Sequence, residues 1–123
     1  MSYAPFDLTG KVALITGGNS GIGLGTADAI ARAGSAVCIW GTNPDRNADA
    51  LAQLEAHGGT VAALLCDISD EGAVEKCFAE TLERFGHVDG CFANAGVSAG
   101  QPRIPFVDMT TQSWERIINV NLY

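Results

Sequence analysis

The amino-acid sequence predicts an α/β fold: a doubly wound parallel sheet, incomplete, with its strands in the order 3-2-1-4. Three observations lead there. Short runs of about five residues are continuously apolar instead of alternating, which is the pattern of strands covered on both faces. Between them lie longer segments whose apolar residues recur at helical spacing. The connections are only a few residues long, so each strand–helix–strand unit makes a right-handed crossover and the strands run parallel.

Val12 to Thr16 is the first strand, stopping at glycines, and Ile22, Thr26, Ala29, Ile30 and Ala33 mark the first helix, which Gly34 ends. Ala36 to Trp40 is a second strand. Asn43 or Pro44 opens a helix that passes through Leu51 and Leu54 and stops at Gly58-Gly59, and Val61 to Leu65 is a third strand. The clearest amphipathic helix follows, with Val74, Cys77, Phe78, Leu82 and Phe85 on one face and Glu75, Lys76, Glu80 and Glu83 on the solvated other, up to Gly86. Gly90 to Ala93 is a fourth strand and 94 to about 110 a loop. Trp114, Ile117, Ile118 and Leu122 mark a last helix, still running at Tyr123.

Composition bounds the function. A chain of 123 residues is one domain able to bury roughly two-thirds of its unfolded surface. Apolar residues at 47% and charged residues at 17% exclude a disordered or coiled-coil chain, and no apolar run approaches the roughly 18 residues of a membrane span. Net charge −7 repels phosphate backbones and anionic lipid, so neither nucleic acid nor a membrane is an expected partner. The four cysteines, at 38, 66, 77 and 91, form no C-x-x-C pair and have no histidine at metal-site spacing; packing roles and no metal are expected of them. Met1 to Gly10 lacks the layout of a secretory signal, and the expected compartment is the reducing cytoplasm. His57 and His87 sit near helix ends, where a cation suits the dipole, and are not expected in catalysis.

Parallel sheets of this kind bind ligands beyond the carboxyl ends of their strands. There the first strand runs into Thr16-Gly17-Gly18-Asn19-Ser20-Gly21-Ile22-Gly23, within which the next helix begins. Free backbone N–H groups at a helix N-terminus, with glycines that allow close approach, cradle a pyrophosphate without any basic side chain. No lysine follows the glycines, so this is not a nucleotide-triphosphate loop. A side chain at Gly17, Gly21 or Gly23 is expected to block the ligand more than it disturbs the fold. Asp67 and Ile68 follow the third strand and Asn94, Ala95 and Gly96 the fourth, on the same ligand edge. Asn121 falls on the apolar stripe of the last helix, where a buried amide costs a few kcal/mol unless partnered and so needs a specific task, or serves as a satisfied core amide or a helix bend.

The T-G-x-x-x-G-I-G segment, Cys66-Asp67-Ile68, Asn94-Ala95-Gly96 and Trp114 with Asn119-Val120-Asn121-Leu122, in that order, resemble the short-chain dehydrogenase/reductase family over practically the whole chain. The resemblance implies a Rossmann-like fold and an NAD(P)-dependent oxidoreductase that moves hydride between nicotinamide and an alcohol or carbonyl, in a protein that forms homo-oligomers. It implies that Gly17, Asn19, Ser20, Gly21, Ile22 and Gly23 bind the cofactor, that Asp67, with Ile68 beside it, holds the adenine amino group, and that Asn94, Ala95 and Gly96 border the cofactor. Asn121 would be the active-site asparagine, holding a water in a proton relay.

Two departures matter. The family's Tyr four residues before a Lys is absent: Tyr3 has Asp7 at that spacing, and Lys11 and Lys76 have no such Tyr. The chain is therefore expected to be the N-terminal, cofactor-binding half of a single domain, inactive alone, with only the loop from Val97 to Phe106 able to shape a substrate pocket. A non-catalytic dinucleotide-binding module is the alternative; a methyltransferase fits the glycine spacing poorly. Second, the end of the second strand, where an acid would select NAD, reads Trp40-Gly41-Thr42-Asn43, and no arginine replaces the acid, Arg46 lying on the next helix. Thr42 and Asn43 are expected to bond the ribose, with NAD or NADP accepted and a slight lean to NAD.

Overall fold

A computed structural model describes residues 4–98 and 103–123. Its elements follow in order: β1 (Val12–Thr16), α1 (Gly21–Arg32), β2 (Ala36–Gly41), α2 (Pro44–Glu55), β3 (Val61–Leu65), α3 (Glu71–Phe85), β4 (Gly90–Phe92) and α4 (Thr111–Asn121). The sheet is parallel in the order β3-β2-β1-β4, as the sequence predicts. Leu14 is flanked by Cys38 of β2 and Cys91 of β4. The fourth strand ends one residue early, at Phe92.

Because successive side chains of a strand point to opposite faces, the unbroken apolar runs build two cores. On one face Ile15, Val37 and Ile39 pack with Ala27 and Ala31 of α1 and Ala50 and Leu54 of α2. On the other, Leu14, Cys38, Trp40, Ala62, Leu64 and Cys66 pack with Cys77 of α3. Ile15, Ile39 and Leu54 are fully buried, and each such side chain stabilises the fold by roughly 1.5–3 kcal/mol.

Two helix faces differ from the periodicity reading. On α1 the buried residues are Gly23, Ala27 and Ala31, whereas Ile22 is 82% exposed and Ala29 is exposed. A row of small residues four apart lets α1 sit close against the sheet, and hydrophobicity alone does not register it. On α3 the buried pair is Cys77 and Thr81, with Phe78 and Leu82 substantially exposed. Thr81 is tolerated inside because its hydroxyl donates to the Cys77 carbonyl at 2.7 Å and accepts from the Trp40 indole at 3.2 Å. α4 buries none of its residues, and Trp114 is half exposed.

Candidate nucleotide cleft at the carboxyl edge of the sheet

The order of the strands reverses between β1 and β4, and the two chain segments leaving these strands are clasped together there. The Thr16 hydroxyl accepts from the backbone N–H groups of Asn94 (3.0 Å) and Ala95 (3.1 Å), and the Asn94 amide donates to the carbonyls of Thr16 (3.2 Å) and Gly17 (3.4 Å). Asn94 thereby ties the two sides of the switch point to each other. Thr16 opens the glycine motif, yet its role as the clasp's acceptor is absent from the sequence reading.

The glycines do different work. Gly17, at φ 65°, donates its N–H to the Trp40 carbonyl at 2.8 Å, and a Cβ on it would lie 2.9 Å from the Ala95 backbone. A Cβ on Gly23 would come within 2.1 Å of the Gly17 carbonyl oxygen. These two positions are closed by the protein itself, which corrects the expectation that substituting them would touch ligand alone. Gly21 differs: its φ of 54° favours glycine, but nothing lies within 4 Å of where a Cβ would stand.

Helix α1 begins at this point with an extended Ser20 as N-cap, no hydrogen bond from the Ser20 side chain and no acid in the first turn. The other three α-helices among the described residues are each capped: Asn43 accepts from Arg46 N–H, Asp70 from Ala73 N–H and Thr110 from Ser113 N–H. The first-turn N–H groups of α1 therefore have no side-chain cap to accept from them, and the partial positive charge of the helix end is open to an acceptor.

A cleft of about 840 Å³ lies along this edge. Gly17, Asn19, Ser20 and Ile22 line it from the glycine loop, Thr42 and Asn43 from the end of β2, Asp67 and Ile68 after β3, and Asn94, Ala95 and Gly96 after β4. Gly21, Gly23 and Asn121 are not among its lining residues. Trp40, Gly41, Cys66, Ser69, Val97 and Val120 also contribute walls, as do Arg46 and Arg116. In a chain of net charge −7, two arginines against the single Asp67 give the cleft a cationic balance. Arg116 has no signal in the sequence, because the apolar stripe alone marks α4 there.

Asp67 Oδ1 accepts from the Ser69 hydroxyl (2.6 Å) and the Ser69 N–H (2.9 Å). These bonds, with a smaller contribution from the nearby Arg116 guanidinium, hold its carboxyl below the usual carboxylate range, so the cleft has a fixed anionic acceptor. Burial, with Cys77 beside it, pushes the Cys66 thiol up to about 12; it stays neutral and serves as wall, not nucleophile.

Asn121 is exposed, which corrects its expected burial. Both ends of its amide are nonetheless engaged: Oδ1 accepts from Val97 N–H at 2.8 Å and Nδ2 donates to the Val97 carbonyl at 2.9 Å, clipping α4 to the segment after β4. The loop expected to border the substrate falls partly outside the described residues, at 99–102; within it, Val97 reaches the cleft and Phe106 lies in a separate hollow with Met109 and Trp114. His57 and His87 pair with Asp28 and Asp89, away from the cleft, and Cys91 lies exposed on β4. Among the described residues no cluster of metal-binding side chains occurs and no helix is long and apolar enough to cross a membrane.

Comparison with known proteins agrees with this fold. The short chain dehydrogenase family matches residues 11–123. The chain is 34% identical over 112 residues to a 3beta-hydroxysteroid dehydrogenase of Mediterraneibacter gnavus, covering 91% of this chain and 40% of that protein. It is 37% identical over 115 residues to momilactone A synthase of Oryza sativa subsp. japonica, covering 94% and 41%. Among solved structures, NAD+-bound xylitol dehydrogenase superposes with a TM-score of 0.87 at 30% identity, over 94% of this chain and 44% of that one. The chain thus spans less than half the length of these relatives.

Proposed function

Since this chain belongs to the short-chain dehydrogenase family, we propose that it is the dinucleotide-binding part of an NAD(P)-dependent oxidoreductase acting on a small alcohol or carbonyl compound, in a protein that works as a homo-oligomer. The observation that carries the proposal is the α1 N-terminus, left without the side-chain cap that every other α-helix among the described residues has and opening on a cleft with surplus positive charge. A pyrophosphate fits that demand. When bound, the dinucleotide supplies or takes up the hydride.

In this proposal Ser20, Gly21 and Ile22 present the first turn of α1 to the phosphates, and Asn19, Thr42 and Asn43 face the adenosine ribose. Asp67 accepts from the adenine amino group, and Ile68 packs against the base. Asn94, Ala95 and Gly96 line the path toward the nicotinamide. Asn121 spends its amide on Val97, so its part in any proton relay runs through how it holds that segment. No Tyr stands four residues before a Lys, so the proton donor for the alcohol comes from outside these 123 residues, and the chain by itself turns over no substrate.

Gly41 leaves no acid to select NAD, and Arg46 is the cation at that wall of the cleft. Both dinucleotides are accepted, with a slight lean to NAD. Fluorescence titration with NADH and NADPH tests this: both bind, with affinities within about a hundredfold, near 2.7 kcal/mol. Binding of neither refutes the proposed function, and a wider gap refutes the permissive ribose site.

A further inference from the structure

Asn47 lies in the first turn of α2, on the stripe it shares with the buried Ala50 and Leu54, and is only 6% exposed. A buried amide there is costly unless its hydrogen-bonding capacity is met. It is met in full. Nδ2 donates to the carbonyls of Gly41 (3.1 Å) and Leu64 (3.3 Å), at the carboxyl ends of β2 and β3, and Oδ1 accepts from Nδ2 of Asn19 at 2.9 Å. Gly41 completes the assembly, since a Cβ there would stand 2.3 Å from Asn19 Nδ2 and 2.5 Å from Asn47 Oδ1. The two amides occupy the space into which a side chain at the end of β2 would project.

The donors and acceptors fix a direction through this chain. Strand carbonyls only accept, so Asn47 must turn its NH2 toward them; its oxygen then faces Asn19, which must answer with its own NH2. The Asn19 carbonyl oxygen is left as the uncommitted end of a side chain that lines the cleft. An oxygen acceptor suits a hydroxyl and opposes a phosphate. Resting on the dinucleotide assignment above, we infer that Asn47, itself outside the cleft lining, is a positioning residue that sets the polarity of Asn19 and so biases the site toward a ribose with a free 2′-hydroxyl over one with a 2′-phosphate.

The test is the ratio of NADPH to NADH dissociation constants in the full-length polypeptide, read with the melting temperature. Asn47→Leu keeps the volume but releases Asn19, whose NH2 is then free to meet a phosphate; the ratio falls about five- to tenfold, the size of one hydrogen bond exchanged. Asn19→Ala, at a half-buried loop position, lowers the ratio likewise without depending on the α2 core, and Asn47→Leu added to it shifts the ratio no further. Leu54→Ala, on the same stripe, lowers the melting temperature and leaves the ratio unchanged. A ratio that stays at the wild-type value in Asn19→Ala, or shifts that add in the double variant, overturns the inference. Wild-type protein that binds neither dinucleotide would instead refute the assignment on which it rests.

Discussion

At the scale of single residues, polar atoms inside the sheet carry obligations that substitutions expose. Thr81 is fully buried and is the partner of the Trp40 indole N–H. Thr81→Val keeps the shape but strands that donor, and a loss of about 1–3 kcal/mol is expected in urea unfolding. The glycines divide in the same way. Gly23→Ala forces a methyl onto the Gly17 carbonyl and is expected to cost more than about 2 kcal/mol of stability. Gly21→Val meets no neighbour, but a β-branched residue at φ 54° is strained, so a loss of about 1–2 kcal/mol of stability is expected with the fold retained, while NADH fluorescence enhancement is abolished. Asp67 makes a prediction in pH. Its carboxyl sits below its ordinary value of 3.8 through the bonds from Ser69, so its contribution is fully present above that value and is lost as pH falls through the lowered one. Dinucleotide affinity is expected to be flat from about pH 5 to 8, and Ser69→Ala to bring the acid loss to higher pH.

At the scale of elements, the caps show which helix ends are structural and which is reserved. Asp70→Ala removes the cap of α3 and is expected to cost about 1 kcal/mol in thermal unfolding; Ser20→Ala removes no cap and is expected to leave stability within about 0.5 kcal/mol. What was legible in the sequence follows the same division. Strand runs, glycine stops and the strand order were readable because parallel strands buried on both faces leave an unbroken apolar signature. Helix faces were read less well where packing uses small or polar residues: Gly23 and Ala27 carry α1, and Thr81 carries α3, whereas Ile22 and Phe78 are turned outward. The cleft's glycine loop and its strand-end polar residues were legible from position alone. The Thr16 clasp, Asn47 and Arg116 were not, because each acts through a partner distant in sequence or through a helix face that periodicity leaves undetermined; Ser69 pairs with Asp67 only two residues away, a local turn bond that the sequence reading passed over.

At the scale of the whole molecule, the sheet ends in two edge strands that carry apolar side chains, with Phe92 of β4 44% exposed and Leu65 of β3 58% exposed. Unpaired strand edges beside exposed apolar surface favour edge-to-edge association. The 123-residue polypeptide on its own is therefore expected to self-associate in sedimentation velocity, and to become monodisperse when co-expressed with the remainder of a full-length family domain. The central claim is the dinucleotide site at the carboxyl edge. It is tested most directly by titrating the protein with NADH and, separately, with S-adenosylmethionine, a ligand that parallel sheets of this class also serve. NADH fluorescence that rises to saturation and is reversed by NAD+, with no response to S-adenosylmethionine, is the expected result; binding of S-adenosylmethionine without NADH would contradict it.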